Sequence, residues 1–490
     1  MKKRFLIPAL LFLPLLSACG TQKDDDALVL RVCNWEEYID LGDWDEEETI
    51  DLESGDILGE NPLYEDFEEW YFETYGQKVR VEYSCFGTNE ELYNMLTLGD
   101  KFDLVCPSEY MIMKLMSEEQ LLPYSAGFRD EEIPENYYVR NVSPFIREKF
   151  DGHEIGGHSW SEYAAGYMWG VTGLLYDPEV VDKETVSSWN ALLDPSLCRR
   201  VTVKDNVRDA YFPAVAAVKA EKLTDPAFTS ADDYSERLEE EMNDCSEETV
   251  AAALDFLQSA KDNAYSFETD SGKADMVSGK VLANLQWSGD AVYAMDQAEE
   301  DELYLAYSVP EECTNLWFDG WVMLKDGIAE EPGKQQAAEA FVNFLSRPDN
   351  AVRNMYYIGY TSVISGGTDG DAIYEYLDWT YGTEEEEGVD YNLSWFFDGE
   401  GEESGDYVLF TDEEQLDRQL FAQYPTPEVM ERSSIMRYFD TEANARINRM
   451  WINVRCFNIN RLPVAVRAGA LVLCIAVLGG LVFLKLKKRA

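Results

Sequence analysis

The chain has 490 residues, of which 95 are acidic and 40 basic, for a formal net charge of −55. Such a surface repels phosphate, which excludes nucleic acid as a partner, and it concentrates cations around itself. With 46% hydrophobic and 13% aromatic residues, the sequence is globular rather than a disordered acidic tail, and it is long enough for two lobes and a large core.

At the N-terminus, Lys2, Lys3 and Arg4 precede an apolar run from Phe5 to Leu16 and the stretch "LSACG". This is the layout of an export signal over residues 1–18, too short to span a bilayer. Leu16-Ser17-Ala18-Cys19 resembles a bacterial lipobox, in which cleavage leaves the cysteine free to carry a diacylglyceryl group. Residues 19–26 are then expected to be a lipidated tether.

The stretches "ALVLRVCNW" (27–35), "KVRVEYS" (78–84) and "DLVCPSEY" (103–110) are strand-like, with helical patterns between them, which predicts a parallel α/β sheet. One helix carries Phe67, Trp70, Tyr71 and Tyr75 and stops at Gly76; the next carries Leu92, Met95 and Leu96 and stops at Gly99. In open α/β sheets ligands gather at the carboxyl ends of strands. Trp35, Tyr38, Gly87, Thr88, Ser108 and Tyr110 fall there. The acidic stretch 42–56 reads as a solvated insertion.

A second α/β segment covers 166–300, with strand candidates "YMWGVTGLLYD", "RRVTVKD" and "VLANLQW". Its clearest helix has Ser246 as cap, Glu247 and Glu248 in the first turn, and Val250, Leu254 and Leu257 on one face. Strands at "LYLAYSVPEE" and "NLWFDGWVML" return to the first segment. Lobe 1 is thus expected over 27–165 and 301–365, lobe 2 over 166–300, with a cleft between them.

Asp319 interrupts the apolar run "NLWFDGWVML". A carboxylate there is either buried and in need of a positive partner, or exposed in an Asp-Gly hairpin turn. A helix from Gln335 to Leu345 follows, closed by Pro348. Residues 366–462 form an acidic extension, of which 368–406 reads as solvated; neither acidic loop has full EF-hand spacing, so no metal is assigned. An apolar run from Ala468 to Leu484, extendable to Pro463 and followed by "KLKKRA", predicts a transmembrane helix over 463–484 and a cytoplasmic tail over 485–490. The body would then be extracytoplasmic.

Of nine cysteines, Cys19 and Cys474 lie in the anchors, which leaves an odd number and argues against a dense disulfide framework. Cys33, Cys85 and Cys106 read as small core residues, and Trp160, Trp169 and Trp189 as core. His153 and His158 lie in a glycine-rich loop. No GxSxG, HExxH or P-loop pattern is present, so nothing indicates an enzyme, and no cofactor is implied.

Six ordered motifs between Leu28 and Tyr360 resemble the spermidine/putrescine-binding proteins of bacterial ABC importers. "NWEEY" is similar to their NWxEY, "DLVCPSEYMIMKL" to DLVVPSxYxxxKM, and "VKDNVRDAYF" to TDDxREVF. "NLQWSGDA" is similar to IWNGSA, "NLWFDGWVML" to FWxDSLAIP, and "NFLSRPDNAVRNMYYIGYT" to NFLLRPDVA…IGYPT. The resemblance implies a two-lobed type II periplasmic binding fold, a polyamine ligand, and a permease with its ATPase as partners. Trp35, Tyr38, Tyr110, Trp287, Trp317 and Tyr360 would line the cleft and Asp319 would meet a terminal ammonium. Asp205 and Asp209 are candidates for the second lobe's carboxylates, and Ser108 and Thr269 complete the expected set. Asn206 replaces the second Asp of TDD, which leaves the choice between diamine and triamine open. Arg208 is either a cleft residue or the support of Asp205 or Asp209. A receptor-like sensor, or a same-fold protein for another solute, is the alternative.

Overall fold

Two strands in which every residue is buried organise the molecule. The computed structural model describes residues 27–45, 48–385, 387–399 and 405–456. The strands are β1 (Leu28–Trp35), β2 (Val79–Phe86), β3 (Leu104–Val105), β4 (Ala164–Tyr176), β5 (Val201–Lys204), β6 (Ser266–Glu268), β7 (Ala283–Trp287) and β8 (Thr314–Leu324). Their order across the sheet is β6-β5-β7-β4-β8-β3-β1-β2. β1 is parallel to β2 and β3, and β5 is parallel to β6 and β7, while β4 and β8 run antiparallel to each other and to their outer neighbours.

The long strands β4 and β8 are therefore the crossing elements. Up to Val171, β4 pairs with β8; from Thr172 it pairs with β7 of the second half. The expected boundary at 166 thus falls inside one continuous strand. Both strands are covered on two faces, which is why they read as apolar runs without alternation.

The helices that cover the sheet are α1 (Leu63–Tyr75), α2 (Asn89–Leu98), α3 (Glu109–Ser117), α4 (Val207–Val218), α5 (Glu247–Asn263), α6 (Ser288–Glu300), α7 (Lys334–Leu345), α8 (Pro348–Ile358) and α9 (Thr441–Arg455). α1 and α2 end at Gly76 and Gly99 in the left-handed conformation, and the Ser246 hydroxyl accepts the Thr249 N–H to start α5. Pro348 does not simply close α7. It opens α8 at the first helical position, where a missing N–H leaves no bond unmade.

Parts of the acidic stretches, and of the extension beyond them, are packed into the molecule rather than solvated. Tyr376, Leu377, Leu393, Phe396, Phe397, Leu409 and Tyr424 are buried, and α9 buries Ile447, Met450 and Val454 against lobe 2. Ser433–Ser434 adds a parallel bridge to Thr314–Asn315 of β8. Within 42–56, Ile50 and Leu52 are buried in a short hairpin, and the Ser54 N–H donates to Glu375 at 2.9 Å. Acids on the outer positions masked a widely spaced apolar set.

Trp160, Trp169 and Trp189 are fully buried. No described cysteine forms a disulfide; Cys33 and Cys106 are buried but Cys85 is exposed, which corrects its reading as core. The expected fold class is also corrected. The two-lobed α/β architecture stands, but the membrane-spanning helix is not supported: among the described residues no helix is long and apolar enough to cross a membrane. The segments 463–484 and 485–490, like residues 1–18, 19–26 and Cys19, lie outside the described residues.

Candidate functional site

Asp319 lies in a continuous strand opposite a bulge in β4, where Tyr167 is the extra residue, and not in a turn. β8 continues through Asp319, and its pairing with β4 shifts register between Asp319 and Gly320. An extra residue in one strand re-aims side chains locally, and here the backbone of Asp319 also bridges to Ser108. The carboxyl is 6% exposed. It accepts the Tyr38 hydroxyl at 2.8 Å on one oxygen and the Ser108 hydroxyl at 2.7 Å on the other. Burial pushes it up to about 7; the hydrogen bonds of Ser108 and Tyr38 pull it down, Asp209 pushes it up, and the Trp35 side chain pulls it down. Among the described residues it forms no ion pair.

Local sequence explains how its partners arrive. After β1, Glu37 takes a φ of 54° and the Asn34 amide donates to the Tyr38 carbonyl at 3.2 Å, which turns Tyr38 back under the sheet end. Ser108 flanks the start of α3 but makes no capping bond, so its hydroxyl is left for Asp319. Asn89, at the start of α2, donates to both the Ser108 hydroxyl and the Tyr110 hydroxyl at 3.0 Å. Tyr360 packs edge-on to Tyr38 at 4.8 Å and to Trp317 at 5.8 Å between ring centres. Gly170 of β4 lies under Trp317, and a Cβ there would stand 2.5 Å from the indole.

Lobe 2 supplies the facing side. Asp209, in the first turn of α4, is buried and pushed up to about 6 by desolvation, against the pull of a Trp287 hydrogen bond and of Lys204. Tyr360 donates to Asp290 of α6 at 2.9 Å. Burial would raise the Asp290 carboxyl, but Lys273 and Lys204 hold it below its ordinary value. Glu109, buried at the start of α3, is pushed up to about 8 by burial; it accepts the Phe318 N–H at 3.2 Å, and nearby Asp319 opposes its ionisation.

Trp35, Tyr38, Ser108, Tyr110, Asp209, Trp287, Trp317, Asp319 and Tyr360 thus form one connected cluster between the lobes. Asp205 takes another partner, an ion pair with Arg455 of α9. Thr269 contributes its carbonyl, which accepts the Lys204 ammonium at 2.7 Å. Asn206 caps α4 by accepting the Arg208 N–H. The Arg208 guanidinium supports neither aspartate by an ion pair; it lies between the rings of Tyr110, at 4.5 Å, and Phe439, at 3.7 Å.

Sequence reasoning missed Asn89, Lys204 and Asp290. Lys204 and Asp290 sit at or just after the carboxyl ends of β5 and β7, the location that singled out Trp35 and Tyr110, so the signal was available. Two surface cavities, of about 470 Å³ beside Lys183 and Arg432 and about 940 Å³ beside His153 and Glu239, lie away from the cluster.

Comparison with known proteins gives this geometry a family. The putrescine-binding periplasmic protein PotF of Escherichia coli is 24% identical over 299 residues, which cover 59% of this chain and 72% of the relative. The spermidine/putrescine-binding periplasmic protein of Escherichia coli is 24% identical over 340 residues, covering 69% and 78%. Two solved structures show the same fold. The substrate-binding protein PotD of a Streptococcus pneumoniae spermidine/putrescine ABC transporter, determined with calcium and HEPES, superposes with a TM-score of 0.56 at 20% identity, covering 88% of this chain and 99% of the other. The TpPotD lipoprotein of Treponema pallidum gives 0.55 at 16% identity, covering 87% and 99%. The family model described as bacterial extracellular solute-binding protein matches residues 63–376, more than half of the sequence. The chain belongs to that family, and it is a solute-binding protein rather than an enzyme.

Proposed function

We propose that the chain captures a polyamine in the cleft between its lobes and hands it to an ABC importer. The observation that carries this reading is Asp319, a buried carboxylate met by two hydroxyls and by no cation of the described residues. A buried charge without a counter-charge is costly, and a ligand ammonium supplies the missing partner. The rings of Trp35, Tyr38, Trp317 and Tyr360 suit the rest of such a molecule, because aromatic faces hold methylenes by apolar contact and ammonium groups by about 0.5–2 kcal/mol of cation–π attraction each. Asp209 brings a second carboxylate from the opposite lobe. Lobe closure then buries the cation, and the ligand favours the closed state through contacts that need both lobes.

Similarity to the putrescine- and spermidine-binding relatives points the same way. The reading extends to lipid attachment at Cys19, supported by the Leu16–Cys19 tetrad; Cys19→Ser should abolish labelling by a tagged fatty acid. Calorimetric titration of the protein with putrescine, spermidine and spermine tests the ligand. Saturable binding of at least one is expected, and heat of dilution alone with all three would reject the polyamine reading.

A further inference from the structure

Lys204 ends β5 with a side chain only 1% exposed. Its ammonium donates to the Thr269 carbonyl at 2.7 Å, lies 4.0 Å from the centre of the Trp287 ring, and stands 3.6 Å from Asp290 and 3.8 Å from Glu268. A lysine side chain is a four-carbon stem ending in a primary ammonium, the same chemistry as the aminobutyl end of a polyamine. An aromatic face, a carbonyl and two carboxylates together make a complete receptor for that group, and the chain has filled it with its own residue.

Charge is also closed at this end. Lys273 stands 3.3 Å from Asp290, so the carboxylates of Asp290 and Glu268 face two resident ammonium groups. Glu268 is further committed, accepting the Gly272 N–H at 2.7 Å and the Asn284 amide at 3.1 Å. The balance differs at the two cleft carboxylates: among the described residues neither Asp319 of lobe 1 nor Asp209 of lobe 2 forms an ion pair, although the Arg208 guanidinium acts on Asp209 from a distance. Lys204 nonetheless lies near enough to Asp209 to act on its carboxyl. A ligand that extends past Asp209 toward Trp287 therefore meets a fixed, buried like charge, and repulsion in such surroundings is strong.

We propose that Lys204 determines specificity in the cleft, acting as a built-in ammonium on Trp287, so that the ligand is a short diamine held between Asp319 and Asp209 and a triamine is disfavoured. The inference rests on the polyamine reading above and names the member of that class.

The test is competitive titration with putrescine and spermidine. The protein itself should bind putrescine at least tenfold more tightly than spermidine; equal affinity, or preference for spermidine, overturns the inference outright. Lys204→Met keeps the stem and removes the charge, and should lower the spermidine-to-putrescine ratio of dissociation constants at least tenfold. The change leaves one buried carboxylate in excess, so the ratio is also measured in Lys204→Met with Glu268→Gln, which restores the charge count, and folding of both is checked by circular dichroism melts. A ratio unchanged within twofold in a folded variant that still binds putrescine overturns the role of Lys204 and leaves the polyamine reading standing. Absence of binding of either amine to the unaltered protein removes both.

Discussion

Burial drives the Asp319 carboxyl up to about 7, and the hydroxyls of Ser108 and Tyr38 offset only part of that shift. Glu109, at about 8, and Asp209, at about 6, are raised by burial too. All three hold a proton more tightly in the folded protein than in the unfolded chain, where such groups titrate near about 4. Between that range and about pH 8 the folded state therefore binds more protons, so the stability of the ligand-free protein falls as pH rises through the window and levels off above it. Urea midpoints measured from about pH 5 to about pH 8 should show that decline. Amine binding has the opposite sign, because an ammonium pairs with the ionised carboxylate. Putrescine affinity should rise with pH toward about 7, by up to about tenfold per unit for each proton released, and then flatten. A pH-independent affinity would contradict this. Asp319 was legible as an anomaly because a carboxylate stood in an apolar run. Its fate was not, because a continuous strand and a turn can share the same Asp-Gly pair and only the pairing of β8 with β4 separates them.

At the scale of elements, one contact sets how the halves of the cleft meet and another fastens the C-terminal helix to lobe 2. Gly289, at the start of α6, lies against Tyr360, and a Cβ there would stand 2.3 Å from the ring. Gly289→Ala should displace Tyr360 from Asp290, destabilise the fold by about 1–3 kcal/mol in urea unfolding, and weaken amine binding. The second contact belongs to α9. Ile447 is 1% exposed, and Ile447→Ala should cost about 2–5 kcal/mol by leaving a cavity beside lobe 2; an unchanged unfolding midpoint would show that α9 is not part of the core. Asp205 pairs with Arg455 at the end of the same helix. Asp205→Asn should leave putrescine affinity within about twofold and change stability by less than about 1 kcal/mol, as a partly exposed ion pair does. The strands and α5 were readable from periodicity and capping. The pairing of Asp205 was not, since its partner stands at the end of a helix far along the chain, and no local pattern links residues so distant in sequence.

On the scale of the molecule, the crossing strands β4 and β8 join two lobes over a cluster to which both contribute. The two-lobed plan was legible because strand and helix periods alternate twice along the chain, whereas the sharing of β4 between lobes was hidden by its uniformly apolar sequence. The net charge of −55 attracts cations from a distance, and salt screens that attraction far more than it screens a buried pair. Raising salt should therefore slow association more than it speeds dissociation. The central claim is that the cleft takes an ammonium at Asp319, and calorimetric titration of putrescine into the protein and into Asp319→Asn, at about pH 8 where the carboxylate is ionised, tests it most directly. Loss of a desolvated charge partner should weaken binding by about 3–5 kcal/mol while the variant stays folded. Retention of affinity within about a factor of three, an effect below ~1 kcal/mol, would show that Asp319 is not the ammonium's partner.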